Sequence, residues 1–308
     1  MTLVEQLGPL TVHYPGAHRP DRHRWVSAYG VRIAVSEWGD EEAPPLFLVH
    51  GGSDFAGTFD VFAPLLAAAG WRVVSWDHRG HGDSAQAALY SWDADIRDAL
   101  SVLDSTTPDP VPVIAHSKGG GMMLQLAEAL PMRMSRLVVI DGLPSPDPHP
   151  DVHDHEQRRF TEANLAQWLD HRRNIASNQR KPGTLDELAR RRKRMNPRLP
   201  DEWLRYLVTI GARLDADGWR WKLDPAIRFG GFGPWRPEWS SERLRNLQPP
   251  LLGFMATVSE EMGWGTDAKA VRPFLPPGAE LVTFEDTGHF IHIEHPRRVA
   301  DIVLGFLS

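Results

Sequence analysis

Short, unbroken apolar runs recur along this chain, each followed by a helical pattern, and that alternation constrains the fold more than any other feature. Pro45-Leu-Phe-Leu-Val-His50 ends in glycines and gives way to a helical pattern through Phe59, Phe62, Leu65 and Leu66 to Gly70. The exchange then repeats. Trp71 to Trp76 reads as a strand, Trp92 to Leu103 as a helix, Val111 to Ala115 as a strand, Gly119 to Leu130 as a helix and Leu137 to Ile140 as a strand. Strands that are apolar on both sides need cover on both faces, and helices supply it, so the pattern predicts an α/β architecture around a mostly parallel sheet. Two alternating stretches, Val26 to Tyr29 and Val31 to Trp38, flank Gly30 and predict a β-hairpin ahead of that sheet. Ligands of such sheets bind beyond the carboxyl ends of the strands.

From about Leu143 to Leu247 the rhythm stops, and the chain becomes polar and rich in Arg, Pro and Trp. Helical patterns appear near Phe160 to Asn178 and Thr184 to Arg194, the second opening on the capping-box sequence Thr184-Leu-Asp-Glu187. Strands resume at Pro250 to Ala256 and Glu280 to Phe284, and a helix from Pro296 to Leu307 closes the chain. The expected organisation is a core in two parts, residues 1–142 and 248–308, with residues 143–247 inserted as a helical lid.

Composition narrows the chemistry. The sequence has no cysteine, which excludes disulfides, thiolate metal sites and cysteine nucleophiles. A formal net charge of −6 argues against a nucleic-acid partner and favours small or neutral substrates. Met1 to Arg24 lacks a basic and then apolar leader, and no apolar run approaches the ~18 to 20 residues of a membrane helix. The expectation is a cytoplasmic protein with no membrane attachment.

Chemistry concentrates at Val111-Pro-Val-Ile-Ala-His-Ser117-Lys-Gly-Gly-Gly121, where a buried strand runs into a helix through small-x-Ser-x-Gly. A serine on that turn is held in a strained conformation that exposes its hydroxyl and demands small flanking residues, here Ala115 and Gly119. Alanine stands at the first position instead of the usual glycine, and its methyl is small enough to be tolerated. His50-Gly51-Gly52-Ser53 ends the earlier strand, so the N–H groups of Gly52 and Lys118 are candidate oxyanion donors, fixed where charge develops on a substrate oxygen. Glu280 to Phe284 leads through a short loop to Gly288-His289-Phe290, which hangs His289 over the strand ends as the candidate base.

Together His50-Gly51-Gly52, Asp77-His-Arg-Gly-His-Gly-Asp-Ser84, Ala115-His-Ser-Lys-Gly119 and Gly288-His289-Phe290 with Glu294-His-Pro296 resemble the α/β-hydrolase superfamily. The resemblance covers about residues 26–142 and 248–308, and in that family the Asp77 to Ser84 segment is a structural turn. It implies the α/β-hydrolase fold, no cofactor, and a serine nucleophile, a histidine base and an acid. The family usually places the acid after the strand that follows the lid, but Phe254-Met-Ala-Thr-Val-Ser-Glu-Glu261 holds no aspartate there. Asp141, which ends the strand after the nucleophile's helix, matches the position used by a subset resembling dehalogenases and some lactonases. Glu260 and Glu261 are the alternatives.

The implied reaction is hydrolysis of a carboxylic ester or lactone carrying an apolar or aromatic group, through an acyl-enzyme on Ser117. Serine at this position disfavours epoxide hydrolase and dehalogenase chemistry, which use aspartate. Carbon–carbon bond hydrolysis of a dicarbonyl compound and a non-catalytic binding protein are the competing readings. His149-Pro-Asp-Val-His153-Asp-His155-Glu156 has metal-binding residue types but opens a polar lid, so it reads as a solvated loop. Arg190-Arg-Arg-Lys-Arg194 covers all sides of a helix and reads as a solvated face. Trp168, Trp203, Trp219, Trp221, Trp235, Trp239 and Trp264 read mainly as residues that pack the lid on the core, one or two lining an apolar pocket above Ser117.

Overall fold

A computed structural model describes residues 12–88, 90–144, 162–175, 177, 179–229, 237–260, 263 and 266–308. Its centre is an eight-stranded sheet. In chain order the strands are β1 (Arg22–Ala28), β2 (Val31–Trp38), β3 (Pro45–Val49), β4 (Arg72–Trp76), β5 (Val111–His116), β6 (Met134–Ile140), β9 (Leu251–Ala256) and β10 (Glu280–Phe284), and their spatial order is β1-β2-β4-β3-β5-β6-β9-β10. β1 and β2 form the antiparallel hairpin expected around Gly30, and β2 pairs antiparallel with β4. From β4 to β10 every pairing is parallel. β3, β5 and β6 are buried almost end to end, as the unbroken apolar runs require.

Helices cover both faces. On one side Trp92, Val102, Met122 and Leu126 pack with the sheet side chains Phe47, Val74, Val113 and Val139. On the other, Phe59, Phe62, Leu66, Val299 and Val303 cover Leu46, Val73, Ile114 and Phe254. The helices involved are α1 (Ala63–Ala68), α2 (Trp92–Asp104), α3 (Lys118–Ala129) and α10 (Pro296–Leu307). α1 is shorter than the pattern from Phe59 to Gly70 suggested, because a single 3₁₀ turn at Ala56–Phe59 precedes it and Pro64 occupies the first helical turn. Each large apolar side chain fully buried here contributes roughly 1.5 to 3 kcal/mol.

Between β6 and β9 lie α4 (Glu162–Arg173), α5 (Leu185–Met195), α6 (Asp201–Gly211) and α7 (Pro237–Leu244). Among the described residues helices make up most of the regular structure of this stretch, and a pair of short strands accompanies them. β7 (Ala212–Asp215) and β8 (Gly218–Trp221) form a separate antiparallel hairpin, whose four-residue strands are too short to show a period. α5 begins as its capping box predicts, with the Thr184 hydroxyl accepting from the Glu187 N–H and the Glu187 carboxylate accepting from the Thr184 N–H. α6 escaped the sequence reading, yet it anchors the stretch to the core. Trp203, Leu204, Tyr206 and Leu207 pack with Phe55 and Phe290, which follow β3 and β10. Among the described residues no helix is long and apolar enough to cross a membrane.

Candidate active site

Sheet order brings the site together. β5 is central, β3 and β6 flank it, and the chain leaving each of these strands at its carboxyl end carries one of the predicted residues. Ser117 joins β5 to α3 with φ 52° and ψ −123°, a left-handed corner that a non-glycine residue adopts only under restraint. The restraint is visible. Its N–H donates to Ile140 O at 2.9 Å, and its carbonyl accepts from Gly121 N–H. A Cβ at Gly119 would lie 2.7 Å from His50 O and 2.8 Å from Val49 O, and one at Gly142 would lie 2.5 Å from Ser117 O. A side chain at either position would therefore force the backbone to shift.

Asp141, at the end of β6, also has positive φ, 44°. Its Oδ1 accepts from Ala256 N–H at 3.1 Å, which leaves Oδ2 to accept from His289 Nδ1–H at 2.6 Å. A proton held on Nδ1 leaves Nε2 as the basic nitrogen of His289. Glu260 is also close, but it touches the backbone: its Oε2 accepts from His289 N–H at 2.6 Å. Glu261 lies outside the described residues. Gly288 N–H donates to Glu294 at 2.8 Å, so the loop around His289 is held by two carboxylates besides Asp141.

Gly52 faces Lys118 across the site. A Cβ at Gly52 would stand 3.8 Å from Lys118 Cδ and 3.9 Å from Lys118 Cβ. Lys118 opens α3, so its amide has no acceptor within the helix and stands at the positive end of the helix dipole. Its ammonium points away from the site, donating to Asp95 at 2.6 Å beside Trp92.

Histidines crowd beneath these residues. The His116 ring lies 4.6 Å from that of His289 and 4.7 Å from that of His292, and His116 Nε2–H donates to His289 O at 3.0 Å. Burial, and then the neighbouring His289 and His292, hold His116 well below its ordinary value. Burial lowers His292 to about 3. On the other side of the His50-Gly51-Gly52 turn, His78 N–H donates to His50 Nε2 at 3.0 Å and His78 Nε2–H returns a bond to His50 O at 2.9 Å. His78 belongs to the Asp77 to Ser84 turn, whose Asp77 accepts the N–H groups of Ala56 and Asp83. Burial raises Asp77 to about 6.

Several neighbours escaped the sequence reading. Arg192 is not on a solvated face: its side chain is 7% exposed, its Nη1 donates to Ser53 O at 3.1 Å and its Nη2 lies 3.3 Å from Asp54 Oδ2. The usable signal was spacing, since Leu188 and Arg192 are four apart on one face of α5, and both are buried. Trp221 donates to the same Ser53 carbonyl at 3.2 Å. It lines a cavity of about 240 Å³ together with the apolar Leu188, Val208 and Leu223 and the basic Arg180, Lys181, Arg191 and Arg192. Trp203 is a packing residue, stacked on Tyr206 at 5.3 Å, and Trp219 is partly buried against the Leu188 cluster. The side chains of Trp168, Trp235, Trp239 and Trp264, and the whole of His149 to Glu156, lie outside the described residues. Among the described residues no group of three His, Asp or Glu is placed to hold a metal.

The profile of the alpha/beta hydrolase family matches residues 46–302, five-sixths of the chain. The chain belongs to this family. In the sequence, four short motifs carry the resemblance to this family. A serine hydrolase-like protein of Dictyostelium discoideum is 33% identical over 117 residues, 36% of this chain and 32% of the relative. A monoacylglycerol lipase of Mycolicibacterium smegmatis is 30% identical over 125 residues, 38% of this chain and 45% of its own length. The alignments thus span only about a third to under half of these curated relatives. Among solved structures, a thioesterase domain from the curacin biosynthetic pathway superposes with TM-score 0.79 at 22% identity, covering 92% of this chain and 99% of that one. E-2-(acetamidomethylene)succinate hydrolase superposes with TM-score 0.70 at 17% identity, covering 93% and 98%. At such identities the structural likeness establishes the fold alone.

Proposed function

We propose that this hydrolase cleaves a carboxylic ester or lactone carrying an apolar or aromatic group, with Ser117 as nucleophile, His289 as base and Asp141 as the acid. The observation that carries the reading is the 2.6 Å contact from His289 Nδ1 to Asp141 Oδ2, made at strand ends beside the left-handed corner that holds Ser117. Ser117 Oγ attacks the carbonyl carbon while its proton passes to His289 Nε2. The carbonyl oxygen becomes an oxyanion facing the amides of Gly52 and Lys118. His289 then gives the proton to the departing alkoxide, leaving an acyl-enzyme. Water, deprotonated by His289, releases the acid and restores Ser117. Asp141 keeps the Nδ1 proton in place and stabilises the imidazolium at each step. Residues 143–247 act as the lid, and Trp221, Leu188, Val208 and Leu223 in the cavity beside Ser53 support the preference for apolar groups.

The test is labelling by a fluorophosphonate, with the adduct located by mass spectrometry, alongside turnover of a panel of esters, lactones and ring-cleavage diketones. Labelling at Ser117 that disappears in Ser117→Ala, with ester or lactone turnover lost in the same variant, is the expected result. Cleavage of diketones with no ester or lactone turnover would sink the ester reading. A folded protein that neither labels nor turns over any of them would sink the hydrolytic one.

A further inference from the structure

The buried pair Asp54 and Arg192 takes no part in the reaction above, yet it lies close to two of its components. Asp54 follows Ser53, the neighbour of Gly52. The Arg192 guanidinium lies 5.4 Å from the Trp221 ring and 5.9 Å from that of Phe290, the neighbour of His289. Ser53 itself is unusual. Its φ is 60°, and it is one of five described non-glycine residues at positive φ, with Ser117 and Asp141 among the other four. A serine holds that conformation at a cost of about 1 kcal/mol or more, so its surroundings must impose it.

Those surroundings come from two sides. From the core, His81 Nε2 accepts from Ser53 N–H at 3.3 Å, and His81 is itself oriented by donating from Nδ1 to Arg79 O at 2.9 Å. From the stretch between β6 and β9, Arg192 Nη1 and Trp221 Nε1 both donate to Ser53 O. Arg192 is held to that carbonyl by its ion pair with Asp54, which is 1% exposed. Burial pushes the Asp54 carboxyl above its ordinary range, against the pull of Arg192. Such a pair is costly to bury and is weak evidence for stability alone.

We infer that Arg192 is a positioning residue for the oxyanion site: by gripping Ser53 O and Asp54 it makes the setting of the Gly52 amide depend on the seating of α5 and β8 over the loop. The inference rests on the hydrolytic reading for its kinetic test and stands apart from it in a structural one. Removing one oxyanion donor outright lowers kcat by about 10²- to 10³-fold. Loosening a donor costs less, so Arg192→Met is expected to lower kcat about 30-fold with KM changed less than about threefold. Arg192→Lys, which keeps a cation for Asp54 and one donor for Ser53 O, is expected to recover most of that loss. A trifluoromethyl ketone, whose adduct on Ser117 places an oxyanion in the site, should lose affinity in Arg192→Met by the same factor as kcat/KM.

Hydrogen exchange at the amides of residues 51–55 supplies the independent arm, with about tenfold faster exchange expected in Arg192→Met. Unchanged exchange and unchanged kcat in a folded Arg192→Met protein overturn the inference, as does a loss that falls wholly in KM. If Arg192→Met fails to fold, Trp221→Phe removes the second donor to Ser53 O without orphaning a charge. There a three- to tenfold loss of kcat with faster loop exchange supports the inference, and no change in either overturns it. A wild-type protein inert to esters and to the fluorophosphonate condemns the hydrolytic reading alone, and the exchange arm still decides this one.

Discussion

Residues 117 and 141 share a property that composition does not record: both carry left-handed backbone angles on side chains that disfavour them. At each, hydrogen bonds to neighbouring strands impose the conformation, Ser117 through Ile140 and Asp141 through Phe254. The choice of acid is a residue-scale question, and it yields a residue-scale prediction. Asp141→Asn should lower kcat about 10³- to 10⁴-fold, because the Nδ1 proton loses its anionic acceptor. Glu260→Gln, which weakens one backbone contact, should cost about tenfold or less. Steady-state rates of both variants on a responsive ester check this, and a larger loss for Glu260→Gln would move the acid's role to that residue.

Elements decide whether these residues can meet at all. α3 starts hard against β3 because Gly119 carries no side chain, and a methyl there would press on two backbone carbonyls that have nowhere to go. Gly119→Ala should therefore destabilise the protein by about 1 to 3 kcal/mol in urea unfolding. Gly305, near the end of α10, meets nothing within 4 Å, and Gly305→Ala should stabilise by about 0.5 to 1 kcal/mol in the same assay. Equal effects would mean that the crowding at Gly119 is relieved elsewhere. α5 shows the limit of reading elements from charge. Its run of Arg and Lys has one member turned inward, and the stripe shared with Leu188 marks which one.

Across the whole molecule the buried histidines should govern response to acid. Burial holds His50 and His292 at about 3, and His78, His81 and His116 well below the ordinary 6.5. The unfolded chain binds protons at these five sites from pH 6.5 downwards and the folded chain does not. Their stabilising contribution is complete above 6.5 and is lost as pH falls from there towards 3. Asp77, raised to about 6, opposes them below that pH, since its neutral form suits the folded state. Between pH 7 and 6 the histidines prevail, and stability should fall by about 2 to 3 kcal/mol. His292 has no hydrogen-bond partner for either ring nitrogen among the described residues and packs against Phe59, so His292→Phe should remove one histidine's share of that slope. Urea midpoints at the two pH values decide it, and an unchanged midpoint would show that the buried rings are protonated in the folded state.

Much of this was legible in the sequence because its carriers are local. Unbroken apolar runs specify buried strands, a capping box starts α5, and the small residues flanking Ser117 announce a strained corner. Position in the series of elements singles out His289 among fourteen histidines as the candidate base. The four-residue strands β7 and β8 are too short to carry a period that separates them from loop, whereas α6 does show helical spacing in Trp203, Leu204, Leu207 and Val208, a signal the sequence offered. Which carboxylate meets the His289 ring was settled only by the pairing of β6 with β9, which aims Asp141 at Nδ1 and leaves Glu260 to the backbone. The inward turn of Arg192 and the hold on Ser53 likewise needed residues up to 168 apart to be packed together. The sequence by itself determined the elements of the central sheet and the residue types that stand at their ends, because both depend on near neighbours. Partner choice among distant charged groups was decided by tertiary structure, because burial and a few tenths of an ångström separate a contact from a near miss.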